Sequence, residues 1–126
     1  MKVGDRHYRS IWEEDGAVRI IDQRWLPHEF RVATLESLDD FATAIRDMWV
    51  RGAPLIGATA AYGIARQMAR DPSEASLARA YDMLHATRPT AINLRWALDD
   101  LKARLVPLPE DARAELATAR ARAICD

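Results

Sequence analysis

From Ser37 to Asp126 the apolar side chains recur at three- and four-residue intervals, and prolines cut that pattern into helix-sized lengths. A chain written this way must bury several amphipathic helices against one another. Leu38, Phe41, Ile45 and Met48 make the first stripe. Ser37, followed three residues later by Asp40, resembles a capping box at its start. Gly52 and Pro54 predict that this helix ends near Val50. Pro54 suits the first position of a second helix, where its missing N–H is no loss. That helix should reach about Arg70 and carries Leu55, Ile56, Ala60, Ile64 and Met68. Ala53, Gly57 and Ala61 repeat at four-residue spacing, which would let another backbone approach closely. Glycine inside a helix costs up to about 1 kcal/mol relative to alanine, so Gly57 and Gly63 point to tight packing in return.

Asp71 as cap and Pro72 in the first turn are expected to open a third helix, with Leu77, Tyr81 and Leu84 as its stripe. Arg88-Pro89 closes it, because proline disfavours helical geometry in the residue before it. Thr90 is the expected cap of a fourth helix bearing Leu94, Leu98, Leu101 and Leu105. Pro107 and Pro109 mark another break. A fifth helix starts at Glu110 and still runs at Asp126, where no Gly, Asn or Pro stops it. The expectation is of a chain cut rather than finished.

The first third has a different period. Tyr8–Glu13 and Ala17–Asp22 read as strands around Asp15-Gly16, a dipeptide that favours a hairpin turn. Val18 and Ile20 share a face, and Ile21 breaks the alternation. Leu26-Pro27-His28 ends that run, and Phe30 to Thr34 supplies a third short strand. The fold class is therefore α+β: a small N-terminal antiparallel sheet of about three strands, then a bundle of about five helices.

Size and charge exclude several functions. With 126 residues the chain fits one domain. A formal charge of −1 excludes a broad electrostatic nucleic-acid binder and argues against a basic membrane-surface helix. The longest uncharged run, Gly52 to Ala65, is 14 residues, whereas a membrane-spanning helix needs about 20. No signal-peptide pattern opens the chain, and the single cysteine, Cys125, allows no internal disulfide, so the cytoplasm is the expected location. The 16 arginines against 2 lysines make any one arginine weak evidence of a site.

Phosphate loops and the Gly-x-Ser-x-Gly elbow are absent. His7, His28 and His85 stand far apart, read as surface or packing histidines, and no metal is expected. Glu13-Glu14-Asp15 reads as a solvated hairpin tip. Two junctions remain. Arg51-Gly52-Ala53-Pro54 and Thr87-Arg88-Pro89-Thr90 each set an arginine just before a helix, where unpaired N–H groups already carry partial positive charge. A bound phosphate would reconcile these features, with Gly52 letting the backbone approach the anion. Two solvent-facing arginines are the alternative.

At these residues the chain resembles the 5-methylthioribose-1-phosphate isomerase family. The resemblance is carried by Asp22-Gln23-Arg24-Trp25-Leu26-Pro27, Ala44-Ile45-Arg46-Asp47-Met48, Val50-Arg51-Gly52-Ala53-Pro54, Ala60-Ala61-Tyr62-Gly63, Thr87-Arg88-Pro89-Thr90-Ala91, Asn93-Leu94 and Trp96-Ala97-Leu98. It implies an aldose-ketose isomerase of methionine salvage that needs no metal or nucleotide cofactor. It implies that Arg51, Gly52, Ala53 and Arg88 contact the sugar-phosphate substrate, chiefly on its phosphate side. It also implies a second, Rossmann-like domain beyond Asp126 that holds the catalytic cysteine and the aspartate proton donor. Cys125 lacks that cysteine's Thr-His-Cys context and is expected to be a helix cysteine covered by a partner element. No catalytic residue is thus expected among these residues, which correspond to the N-terminal domain, and the chain alone should bind substrate weakly and not turn it over. A homo-oligomer is expected, since an uncovered domain exposes apolar surface.

Arg95 and Leu55 depart mildly from the family pattern. Regulatory subunits of the translation-initiation nucleotide exchange factor share the architecture, but they do not keep Arg-Gly-Ala-Pro and Thr-Arg-Pro-Thr intact together. Ribose-1,5-bisphosphate isomerase is a closer rival that these residues separate poorly. A helical packing domain for a missing partner is the remaining alternative.

Overall fold

Alternating apolar residues in the first third form a three-stranded antiparallel sheet in the order β3-β4-β5, with β3 at Ile11–Glu14, β4 at Ala17–Ile21 and β5 at Val32–Leu35. The computed structural model describes residues 2–3, 6–7, 11–14, 17–22, 32–50 and 52–125. Ile11 pairs with Ile20, Glu14 with Ala17, and Val18 with Leu35. This register puts Ile11, Val18, Ile20 and Leu35 into the helix-facing core. Ile21 is fully buried as well, outside that cluster. The Asp15-Gly16 turn lies outside the described residues, as do Tyr8 to Ser10, Phe30 and Arg31. A short ribbon absent from the sequence reading, β1 at Lys2–Val3 against β2 at Arg6–His7, precedes the sheet.

Five helices follow: α1 at Leu38–Arg46, α2 at Ala53–Arg70, α3 at Glu74–Thr87, α4 at Ile92–Leu105 and α5 at Glu110–Cys125. The Ser37 capping box is complete, since the Ser37 side chain accepts from the Asp40 N–H and the Asp40 carboxylate accepts from the Ser37 N–H. The helix stops four residues short of Val50. The Trp49 N–H reaches back to the Ala44 carbonyl at 2.9 Å and the Met48 N–H to Ile45 at 3.4 Å, with Met48 at φ 62°. This is a Schellman closure with methionine in the place glycine usually takes.

Helix α2 is the hub and packs on all four other helices. It is buried on nearly every side from Ile56 to Ala65, which explains its weak polar face. Of its small residues, Gly57 is closely approached by another backbone and Gly63 by side chains. A Cβ on Gly57 would meet the Asn93 carbonyl oxygen at 3.2 Å, and one on Gly63 would meet Leu84 and Phe41 at 3.2 Å.

Two caps differ from expectation. Ser73, not Asp71, caps α3 by accepting from the Ser76 N–H. Asp71 instead ends α2 and accepts from the Ser73 N–H, which holds its carboxyl below the usual range. Pro72 therefore precedes the helix. Thr90 does not cap α4. The Ala91 N–H bonds the Arg88 carbonyl at 3.0 Å and closes a turn through Pro89 and Thr90, so the helix begins one residue later with Ala91 as its cap.

The acidic run is not simply a solvated tip. Arg122 of α5 clamps Glu13 with two bonds of 2.6 and 3.0 Å, and the Tyr62 hydroxyl adds a third at 3.3 Å. The Arg122 hydrogen bond dominates and holds the Glu13 carboxyl below its ordinary value, against the opposing effect of burial.

Candidate anion-binding cleft

The close crossing at Gly57 brings the first turns of α2 and α4 side by side. Between them lies a cleft of about 470 Å³, lined by Gly52, Ala53, Ile56, Arg88, Thr90, Ala91, Ile92, Asn93 and Leu94. Three of the four residues singled out from sequence, Gly52, Ala53 and Arg88, thus share one wall although Arg88 sits 35 positions beyond Ala53. Arg51 lies outside the described residues.

Gly52 is the N-cap of α2 with φ 93° and ψ 132°, and its carbonyl accepts from the Ile56 N–H at 3.0 Å. A side chain there would meet nothing within 4 Å, so the glycine is required by backbone conformation rather than by space. Neither α2 nor α4 has a side-chain cap or an acidic residue in its first turn. The contrast is internal: α1, α3 and α5 all carry acidic residues in their first turns, and serines cap the first two of these. The two helix ends that lack negative charge are the two that open on the cleft. Arg88 is half-buried at the C-terminus of α3, and no carboxylate pairs with it among the described residues. Uncapped N–H groups, the N-terminal ends of two helix dipoles and a guanidinium without a carboxylate partner among the described residues suit an anion with several acceptor oxygens.

Thr90 and Asn93 join this wall, and the sequence reading did not select them as site residues. Thr90 lies in the Arg88–Ala91 turn and Asn93 in the first turn of α4, and only the residue types of a proline turn hint at the former. Elsewhere, His85 stacks on Tyr81 with ring centroids 6.0 Å apart, and no metal-ligating cluster occurs among the described residues. Among the same residues no helix is long and apolar enough to cross a membrane. Cys125 ends α5, and its side chain is outside the described residues.

No family model matches the chain. Over its whole length it is 64% identical to methylthioribose-1-phosphate isomerase of Cereibacter sphaeroides strain KD131, and 64% identical to the isomerase of Rhizobium meliloti strain 1021. Along its whole length the chain is thus highly similar to methylthioribose-1-phosphate isomerases. The chain spans 35% of the length of these two curated isomerases. It also covers 70% of an uncharacterized protein of Rhodospirillum rubrum, at 56% identity. The crystal structure of 5-methylthioribose 1-phosphate isomerase from Pyrococcus horikoshii superposes with a TM-score of 0.84 at 37% identity, over 92% of this chain and 35% of that one. Subunit delta of translation initiation factor eIF-2B from A. fulgidus matches with a TM-score of 0.84 at 33% identity, over 94% of this chain and 36% of that one. Fold alone therefore does not separate the isomerase family from the initiation-factor subunit.

Proposed function

We propose that these residues form the substrate-phosphate side of an aldose-ketose isomerase that converts 5-methylthioribose 1-phosphate to 5-methylthioribulose 1-phosphate. The observation that carries the proposal is the convergence of Gly52, Ala53 and Arg88 on one cleft at two uncapped helix ends. In this reading the backbone N–H groups of α2 and α4 and the Arg88 guanidinium hold the phosphate, joined by Arg51. A sugar phosphorylated on its anomeric carbon has no free aldehyde. Ring opening needs an acid, and hydrogen transfer from C2 to C1 needs an oriented, dry site. The cleft supplies orientation. The acid and the cysteine are assigned to a Rossmann-like second domain, of the kind the family resemblance implies. The working protein is then a two-domain cytoplasmic homo-oligomer using no metal or nucleotide.

The regulatory-subunit reading is favoured by the superposition on the initiation-factor subunit but not by the residues. Arg51-Gly52-Ala53-Pro54 and Thr87-Arg88-Pro89-Thr90 are both intact here, and an anion cleft has no evident use in a pure assembly surface.

The test is titration of the chain with the sugar phosphate, followed at the Gly52 and Thr90 amides. Saturable shifts are expected, with affinity falling about tenfold or more in Arg88→Ala, since a charge-assisted hydrogen bond contributes about 1.5–3 kcal/mol. Equal affinity in Arg88→Ala would remove Arg88 from the site. In a two-domain isomerase context Arg51→Ala should raise KM strongly, whereas the 126-residue chain alone should show no turnover.

A further inference from the structure

The two helix ends that form the cleft meet closely at a position without a side chain, Gly57. Gly57 lies in the second turn of α2, next to Ile56 of the cleft wall, and Asn93 lies in the first turn of α4 on the same wall. A Cβ on Gly57 would stand 3.2 Å from the Asn93 carbonyl oxygen and 3.8 Å from the Ala97 Cβ. The obstructing atom is backbone, so it cannot rotate away as a side chain would. Any side chain at position 57 must push the start of α4 away from α2 by a few tenths of an ångström. Gly63, on the same helix, is equally tight, but its neighbours are the side chains of Leu84 and Phe41 and it does not line the cleft.

We propose that Gly57 is a positioning residue for the anion cleft: it fixes the spacing between the α2 and α4 N-termini at which one anion can bond to both. The inference rests on the phosphate-binding reading above and deepens it. A bound anion needs its donors held to within about half an ångström, and misplacement by a fraction of that distance weakens every bond at once. Helix stability alone gives no reason for the glycine, because alanine is the better helix former.

The experiment compares Gly57→Ala with Gly63→Ala in the 126-residue chain, titrated with inorganic phosphate and followed by amide shifts at Gly52, Thr90 and Asn93. Thermal melts confirm that each variant is folded at the titration temperature. Gly57→Ala should lose affinity by about three- to tenfold while Gly63→Ala keeps it, whatever either does to the melting temperature. Ala97→Ser, which widens the same crossing one turn deeper, supplies a second variant and should lose affinity in the same direction. If the parent chain binds phosphate and both crossing variants bind it equally well, Gly57 has no positioning role. An equal loss in Gly63→Ala would also overturn the proposal, since the effect would then be general loosening. A parent chain with no shift at millimolar phosphate would instead overturn the cleft reading itself, and this inference with it.

Discussion

Arg113 Nε donates to the Leu105 carbonyl oxygen at 3.0 Å, although the arginine is only 5% exposed. Its other nitrogens donate to the Pro72 carbonyl at 2.7 Å and the Val106 carbonyl at 3.2 Å. One guanidinium on α5 thus satisfies carbonyls at the C-terminus of α4, where the helix dipole is negative, and the Pro72 carbonyl in the α2–α3 link.

Arg113→Ala should therefore destabilise the fold by about 2–4 kcal/mol, because it leaves several inward carbonyls without donors. Arg113→Lys should recover less than half of that, since one ammonium cannot span carbonyls that diverge in three directions. Urea denaturation of both variants measures this. A loss below about 1 kcal/mol in Arg113→Ala would mean that water replaces the guanidinium.

Ser37→Ala and Ser73→Ala test the caps. Each removes a side-chain acceptor from a first-turn N–H and should cost about 1 kcal/mol in equilibrium unfolding. Ser37→Ala leaves the Asp40 half of the capping box in place, so Ser37→Ala with Asp40→Ala should cost more than either alone. Thr90→Ala should leave stability nearly unchanged, since Thr90 caps nothing. A loss of about 1 kcal/mol there would restore Thr90 as a cap.

Helix number, order and most boundaries were legible because apolar period and proline punctuation act locally. The early end of α1 was not, because Met48 adopts a conformation that sequence assigns to glycine. Helix α5 offered little pattern. Its buried line is Arg113, Ala117 and Ala121, and an arginine at a core position breaks any apolar count. The Asp71 expectation failed because its carboxylate accepts from the Ser73 N–H two positions on, and the Thr90 expectation failed because the Ala91–Arg88 turn takes Thr90 in and starts the helix one residue later. At the cleft, the two arginine-helix junctions were visible as residue types. Their adjacency was not, because it depends on the contact of Gly57 with Asn93, a relationship between helices far apart in sequence.

Acid should weaken the fold through two carboxylates. At Asp100, burial pushes the carboxyl up, but hydrogen bonds from Arg120 and Arg104 outweigh it and hold the value below the ordinary range. Glu13 is lowered chiefly by Arg122. A folded-state value below the unfolded one gives stability that is present above the usual carboxylate range and lost as pH falls through that range and below it. Glu13→Gln and Asp100→Asn should each flatten the acid limb of a plot of stability against pH. Unchanged slopes in the double variant would show that neither pair is linked to folding.

Gly52→Ala should destabilise the chain by about 1–3 kcal/mol, because φ 93° with ψ 132° lies where side-chain-bearing residues are strained. The cost is conformational and not steric, since a Cβ there meets nothing within 4 Å. Asparagine tolerates the left-handed helical region, but ψ 132° lies outside it, so Gly52→Asn should be no better than Gly52→Ala. Because Gly52 also lines the cleft, both variants should weaken phosphate binding at temperatures where they remain folded. Chemical denaturation ranks the two substitutions. A clear rescue by asparagine would show that residue 52 relaxes into the left-handed helical region and that the strained cap is not maintained.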